Sequence, residues 1–183
     1  APAAACRGAS GGRAPEPDDR ATLRLLGRTL GRLHAVGAGS VFRHRQRLSF
    51  DTFGREPVEF LIANRWLPAH LEEPFQRLAH ELLSTIERRW IEAGAIRSIR
   101  LHGDCHPGNV LQLDDQLVLV DLDDALTGPA IQDLWMLVSG DADDVSRQFG
   151  WLLEGYSLFR EFDTRELSLI EPWFLNRRLS LGL

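Results

Sequence analysis

The sequence predicts a mainly α-helical fold with one small β-hairpin, and three patterns carry that prediction. Leu23, Leu26, Leu30 and Leu33 recur at helical spacing. Leu71, Phe75, Leu78, Leu82, Ile86 and Trp90 recur at steps of three and four, the signal of a long helix. Between residues 110 and 120, two short apolar runs of strand length flank Asp114-Asp115-Gln116, a turn signal.

Taken in order, residues 1–17 are rich in Ala, Gly and Pro without periodicity and read as loop or linker. Asp18 or Asp19 can cap a helix running to about His34, with Gly37 beyond its end. His34 then reads as a helix-end histidine satisfying backbone carbonyls. Residues 43–47, Arg-His-Arg-Gln-Arg, form the densest basic cluster. They read as a solvated loop or as a docking surface for an acidic protein or a phosphate group. Residues 58–66 read as a short helix ended near Pro68, and the Leu71-to-Trp90 stripe as a helix packed behind residues 101–124. Gly128-Pro129 reads as the start of a helix through about Val138, with Leu134, Trp135 and Leu137 in the core. Residues 141–144 begin the next helix, where an acidic first turn suits the helix dipole. Its aromatics read as core rather than as a cage for a quaternary amine. Asp163-Thr164 begins a last helix, interrupted at Pro172.

Residues 101–124, LHGDCHPGNVLQLDDQLVLVDLDD, hold the chemistry. A turn centred on Asp115 faces residue 109 with residue 121, so Asn109 and Asp121 would sit side by side at the open end of the hairpin. Both offer oxygen ligands, which suit magnesium, and magnesium takes its remaining ligands from water and substrate phosphates. Asp104 lies in the loop just before them, where one carboxylate can receive a proton from an attacking hydroxyl. His102, Cys105 and His106 could be read as a zinc cluster. With no second Cys/His pair downstream they make a poor tetrahedral site. His102 instead packs beneath the loop, and Cys105 reads as a small buried residue.

H-G-D-x-x-x-x-N, an apolar hairpin and D-x-D together resemble the catalytic loop of the aminoglycoside phosphotransferase and choline kinase group. HGDCHPGNVL, VDLDDALTGPAIQDLWMLVSGD and EFDTRELSLIEP narrow the resemblance to the bacterial stress response kinase A family, over residues from about 20 to about 175. The resemblance implies a cytoplasmic Ser/Thr protein kinase that uses ATP and magnesium. It implies the α-rich C-terminal lobe of a protein-kinase-like α+β fold, over residues 18–183, with the N-lobe absent. Residues 1–17 would follow the inter-lobe hinge. Carried over by position, Asp104 is the proton acceptor. Asn109 and Asp121 are the magnesium ligands and thereby bind ATP, and Asp121 is counted with Asp104 as catalytic. Asp123 adds an outer or second-metal contact, and Asp133 anchors the catalytic loop.

One compositional fact bears on that reading. All 21 basic residues are arginines. Kinases of this architecture hold the ATP phosphates with a lysine of the N-terminal lobe, so this chain reads as a fragment lacking the full ATP site. Two alternatives stay open: a small-molecule kinase acting on an aminoglycoside, choline or homoserine, and a non-catalytic C-lobe that binds a partner. Composition sets outer limits. At 44% hydrophobic and 26% charged residues the chain is ordinary for a globular domain. Two cysteines are too few for a disulfide framework, and no apolar run is long enough to span a bilayer. The net charge of −5 argues against nucleic acid as the main partner.

Overall fold

The computed structural model describes residues 19–113 and 116–170. The expected linker at 1–17, the residues 114 and 115 of the turn and the segment from Pro172 onward lie outside them. Among the described residues the chain is helix-rich, with two small two-stranded sheets.

Helix α1, Arg20–Gly37, begins where the Asp19 side chain accepts the Thr22 N–H at 2.8 Å. Leu23, Leu26 and Leu30 are buried on one face, as their spacing requires. That face meets α5, Ala142–Tyr156, whose N-terminus is capped by Asp141 through the N–H groups of Asp143 and Asp144. The two backbones are in direct contact. A methyl at Gly27 would lie 1.9 Å from the Leu152 carbonyl oxygen, and one at Gly155 2.0 Å from that of Arg24.

The middle of the chain departs from its sequence reading. A π-helical turn at Asp51–Arg55 leads straight into α2, Glu56–Ala63, so this helical stretch begins well before residue 58. Pro57 lies at the junction of the two, where it cannot donate back to the preceding turn. Helix α3, Ala69–Ala93, is as long as expected, but its buried seam is Ala79, Ile86 and Ala93. Leu71 and Leu78, members of the expected stripe, are exposed. The N-terminal half of α3 packs on α2 in a small satellite core with Val58, Phe75, Leu82 and Leu83. Only its C-terminal end, through Trp90 and Ala93, joins the main core, so the stripe as a whole does not back residues 101–124.

Strand β1, Ile99–Leu101, pairs antiparallel with β4, Leu126–Gly128. This sheet corrects the expectation of a helix starting at Gly128. The α4 helix starts only at Ile131 and runs to Leu134, continued by the 3-10 turn Trp135–Leu137. Three-residue strands are too short for alternation to declare itself. The chain at Arg47 bridges to Thr127 as well, with Leu48 N–H donating to the Thr127 carbonyl at 2.7 Å.

The hairpin is where the sequence placed it, as β2, Val110–Leu113, and β3, Gln116–Leu119. Its register is shifted by one: Val110 pairs with Leu119 and Leu113 with Gln116. Two residues separate the paired ends rather than three, so Asn109 faces Val120, not Asp121. A 3-10 turn, Thr164–Leu169, closes the described chain, its start capped by Asp163 accepting from Arg165 N–H at 3.1 Å. No helix among the described residues is long and apolar enough to cross a membrane.

Candidate active site

His102, Gly103 and Asp104 leave β1 as a loop, and that loop hangs from one carboxylate. Asp133 of α4 is fully buried. Its Oδ2 accepts the His102 N–H at 2.7 Å and its Oδ1 the Gly103 N–H at 2.8 Å. A buried charge is tolerable only when compensated, and the third partner is His34, whose Nε2 lies 2.9 Å from Oδ2. A carboxylate only accepts, so that nitrogen carries the proton. His34 Nδ1 lies 3.0 Å from the Tyr156 hydroxyl, which burial pushes up in pKa and keeps protonated. His34 therefore does not cap its own helix, as the sequence suggested. It links the α1–α5 pair to the loop.

The loop is fastened from below as well. His102 is buried, and its Nε2 donates to the Val120 carbonyl at 2.8 Å, at the end of β3. Gly103 has φ +93°, and a Cβ there would lie 2.1 Å from the Asp124 carbonyl oxygen. Only glycine lets the two acidic segments touch. Gln132 Nε2 donates to the Gly103 carbonyl at 2.9 Å.

Asp104 is half-buried, and its Oδ2 has two neighbours at 3.4 Å: Asn109 Nδ2, which donates to it, and His106 Nε2. Asn109 Nδ2 also donates to the Asp104 carbonyl at 2.9 Å. His106 is fixed in turn, since its Nδ1 accepts the Gly108 N–H at 3.0 Å. Cys105 is buried. Burial first, then the nearby charges of Asp133 and Asp104, raise its thiol well above the usual range, so it stays protonated and is no nucleophile.

Asp121 comes next to this pair but does not join it. It follows Val120, whose N–H donates to the Asn109 carbonyl at 3.0 Å, and it is exposed in the left-handed region at φ +62°. The acidic loop beyond it is held by an arginine of the 43–47 basic cluster. Arg45 Nη1 donates to the carbonyls of Leu122 at 3.3 Å, of Ala125 at 3.2 Å, and of Asp123. Contacts to backbone leave no mark in side-chain patterns, so only the density of arginines at 43–47 pointed here. The Asp123 carbonyl is occupied in this way while its side chain is exposed. Asp104, Asp123, Arg45, Phe53, Trp135 and Met136 are among the residues lining an open cleft of about 630 Å³. Asn109 and Asp121 are not among them.

The model of the phosphotransferase enzyme family matches residues 4–170. This chain belongs to that family. The phosphotransferase chain is 40% identical over 162 residues to stress response kinase A of Escherichia coli strain K12, covering 88% of this chain and 48% of that protein. It is 41% identical, with the same shares covered, to a Salmonella typhimurium protein named serine/threonine protein kinase RdoA. It thus spans about half the length of the curated relatives it matches. Among solved structures, an amicoumacin kinase in complex with AMP-PNP, Ca2+ and Ami superposes with a TM-score of 0.70. That match has 18% identity over 94% of this chain and 54% of the other. A spectinomycin phosphotransferase bound to ADP and spectinomycin gives 0.62 at 19% identity, over 94% and 57%. At such identities the likeness is one of fold.

The donor set suits a hard cation. Because the Asn109 amide nitrogen is committed to Asp104, its oxygen is the end free to act as a ligand, and Asp121 supplies an exposed carboxylate. Among the described residues no group of three or more His, Cys, Asp or Glu is arranged to hold a metal. A cation here would therefore complete its shell with water and phosphate oxygens.

Proposed function

We propose that this phosphotransferase chain carries the proton-accepting and metal-holding part of a kinase that moves the γ-phosphoryl group of ATP to Ser or Thr hydroxyls of proteins in the cytoplasm. The observation that carries this reading is the Asp104–Asn109 pair, bonded to each other, with Asp104 opening into a cleft large enough for an acceptor side chain. The acceptor oxygen forms its bond to the γ-phosphorus as the bond to the ADP oxygen breaks, and its proton passes to Asp104. His106 and Asn109, both near one Asp104 oxygen, hold the carboxylate in place for that transfer. Asn109 and Asp121 would hold magnesium, which when bound neutralises charge on the phosphate oxygens. Asp123, on the same loop, adds an outer contact.

The protein acceptor is favoured by relatives at 40–41% identity that are named as stress response or serine/threonine protein kinases. The chain contains no lysine, so the lysine that grips ATP phosphates in kinases of this architecture must come from outside these 183 residues. On this reading the described residues are a C-terminal lobe.

The test is phosphoryl transfer from radiolabelled ATP to Ser/Thr peptides by the protein isolated from its source cells. Asp104→Asn should lower the rate by roughly 10²–10⁴-fold with little change in ATP affinity. Asp121→Ala should raise the magnesium concentration needed for half-maximal rate. A D104N protein as active as the wild type would sink the reading.

A further inference from the structure

Several arginines of this chain sit against carboxylates: Arg20 and Arg24 with Glu154, Arg55 with Asp51, Arg77 with Glu73, Arg147 with Asp144. Around the segment that follows α1 others do not. Arg43, Arg45, Arg47, Arg97 and Arg100 have no carboxylate partner among the described residues. Four of them are exposed and Arg100 is half-buried. In a chain of net charge −5, five such arginines gathered around one segment make a local basic cluster.

All but Arg43 are nonetheless held in place. The Phe42 ring carries two guanidinium groups at once, Arg45 at 5.9 Å and Arg100 at 5.4 Å from its centroid. Arg100 Nε donates to the Ser40 carbonyl at 2.9 Å, and Arg97 Nη2 to that of Ala38 at 2.9 Å. Arg47 Nη2 reaches Ser98 Oγ at 3.4 Å. A guanidinium has five N–H donors, so each anchored group keeps several for a ligand. Fixing like charges around one ring is unfavourable unless an anion joins them. Arg45 and its neighbour His44 also line the cleft into which Asp104 opens.

We propose that this arginine platform docks an acidic polypeptide segment, rich in Asp or Glu, beside the Asp104 cleft. The proposal rests on the transfer reading only in naming that segment as part of the acceptor protein. The acidic side chains Asp123 and Asp124 line the same cleft, so the segment approaches from the 38–47 side rather than across the D-x-D loop.

Fluorescence anisotropy with a labelled peptide of alternating Glu and Ser, beside its Gln-for-Glu counterpart, tests this. The Glu peptide should bind at least about tenfold tighter at low salt, and the advantage should shrink as salt rises. The double variant R43E/R97E should lose at least about tenfold of that affinity. Arg43 makes no hydrogen bond, ion pair or ring contact among the described residues, so R43E alone should weaken binding without disturbing the fold. A control, R20E/R77E, alters arginines that already have carboxylate partners and should leave binding unchanged. Equal binding of both peptides, or equal loss in both double variants, would overturn the platform. Transfer to the same peptides is read separately, with D104N as the blank. Binding without transfer keeps the platform and removes the transfer reading. Transfer without preference for Glu removes the platform alone.

Discussion

Asp104 and Asp121 stand at two ends of one candidate site, and the chain holds them by opposite means. The Asp104 loop hangs inside the protein from Asp133, which is fully buried and shared by His34, His102 and Gly103. The Asp121 loop lies outside, in a left-handed turn followed by carbonyls that accept from the exposed Arg45. Buried charge with every partner in place is costly to disturb, whereas an exposed arginine on carbonyls is weak and replaceable. The contrast teaches that the end proposed to accept the proton is held in a fixed geometry. The end proposed to hold a cation and phosphates is left free to adjust.

Breaking the buried end should therefore have the largest effect. Asp133→Ala strands two backbone N–H groups and His34 in the core and should cost about 3–5 kcal/mol in denaturant unfolding. A loss below about 1 kcal/mol would erase the contrast.

A second lever on the same end is Glu166, buried beside α4, whose Oε2 accepts the Ile131 N–H at 2.8 Å. Burial, first among its causes, raises its carboxyl pKa from 4.5 to about 7. The folded state thus favours the neutral acid. Its contribution is fully present below pH 4.5 and is lost as the pH rises to about 7, on the order of 3 kcal/mol in all. Glu166→Gln should remove that slope. Thermal melts across pH 4.5–7.5 that stay parallel in wild type and variant would count against the assignment.

His34→Ala should be milder, about 1–3 kcal/mol, because Asp133 keeps its two backbone donors. Tyr156→Phe should cost less again. If H34A matched D133A, the histidine rather than the backbone would be the main support of the loop.

The smallest stability change should come from Arg45→Ala, below about 1 kcal/mol. Its mark should appear elsewhere, in faster hydrogen exchange at the Ala125 amide, which bonds the Leu122 carbonyl within the held loop. Unchanged exchange there would mean that Gly103 against Asp124 suffices to fix the turn.

Much of the buried end was legible in the sequence. The α1 leucines, the Asp19 cap, the hairpin's place and the nearness of Asp104 to Asn109 follow from spacing over a few residues. So does Asp133 as an anchor, once the family resemblance is admitted. What stayed hidden depends on contacts between distant positions. His34 meets Asp133 across 99 residues of chain, and nothing local distinguishes it from a helix-ending histidine. The β1–β4 sheet is three residues wide on each strand, below the reach of periodicity. The hairpin register turned on a single residue in a polar turn. On α3 a regular stripe is only partly buried, because the partner helix is short and leaves Leu71 and Leu78 uncovered.

The glycine contacts between α1 and α5 have a mechanical consequence. Where backbone lies against backbone, no compressible side chain remains to absorb a displacement, and the two helices form a stiff strut. His34 and Tyr156 are mounted on opposite members of that strut, so any widening of the gap pulls on the loop that carries Asp104. The stiffness of the candidate base is thus set by a hydrogen atom at residue 27, where a methyl group would wedge the strut open.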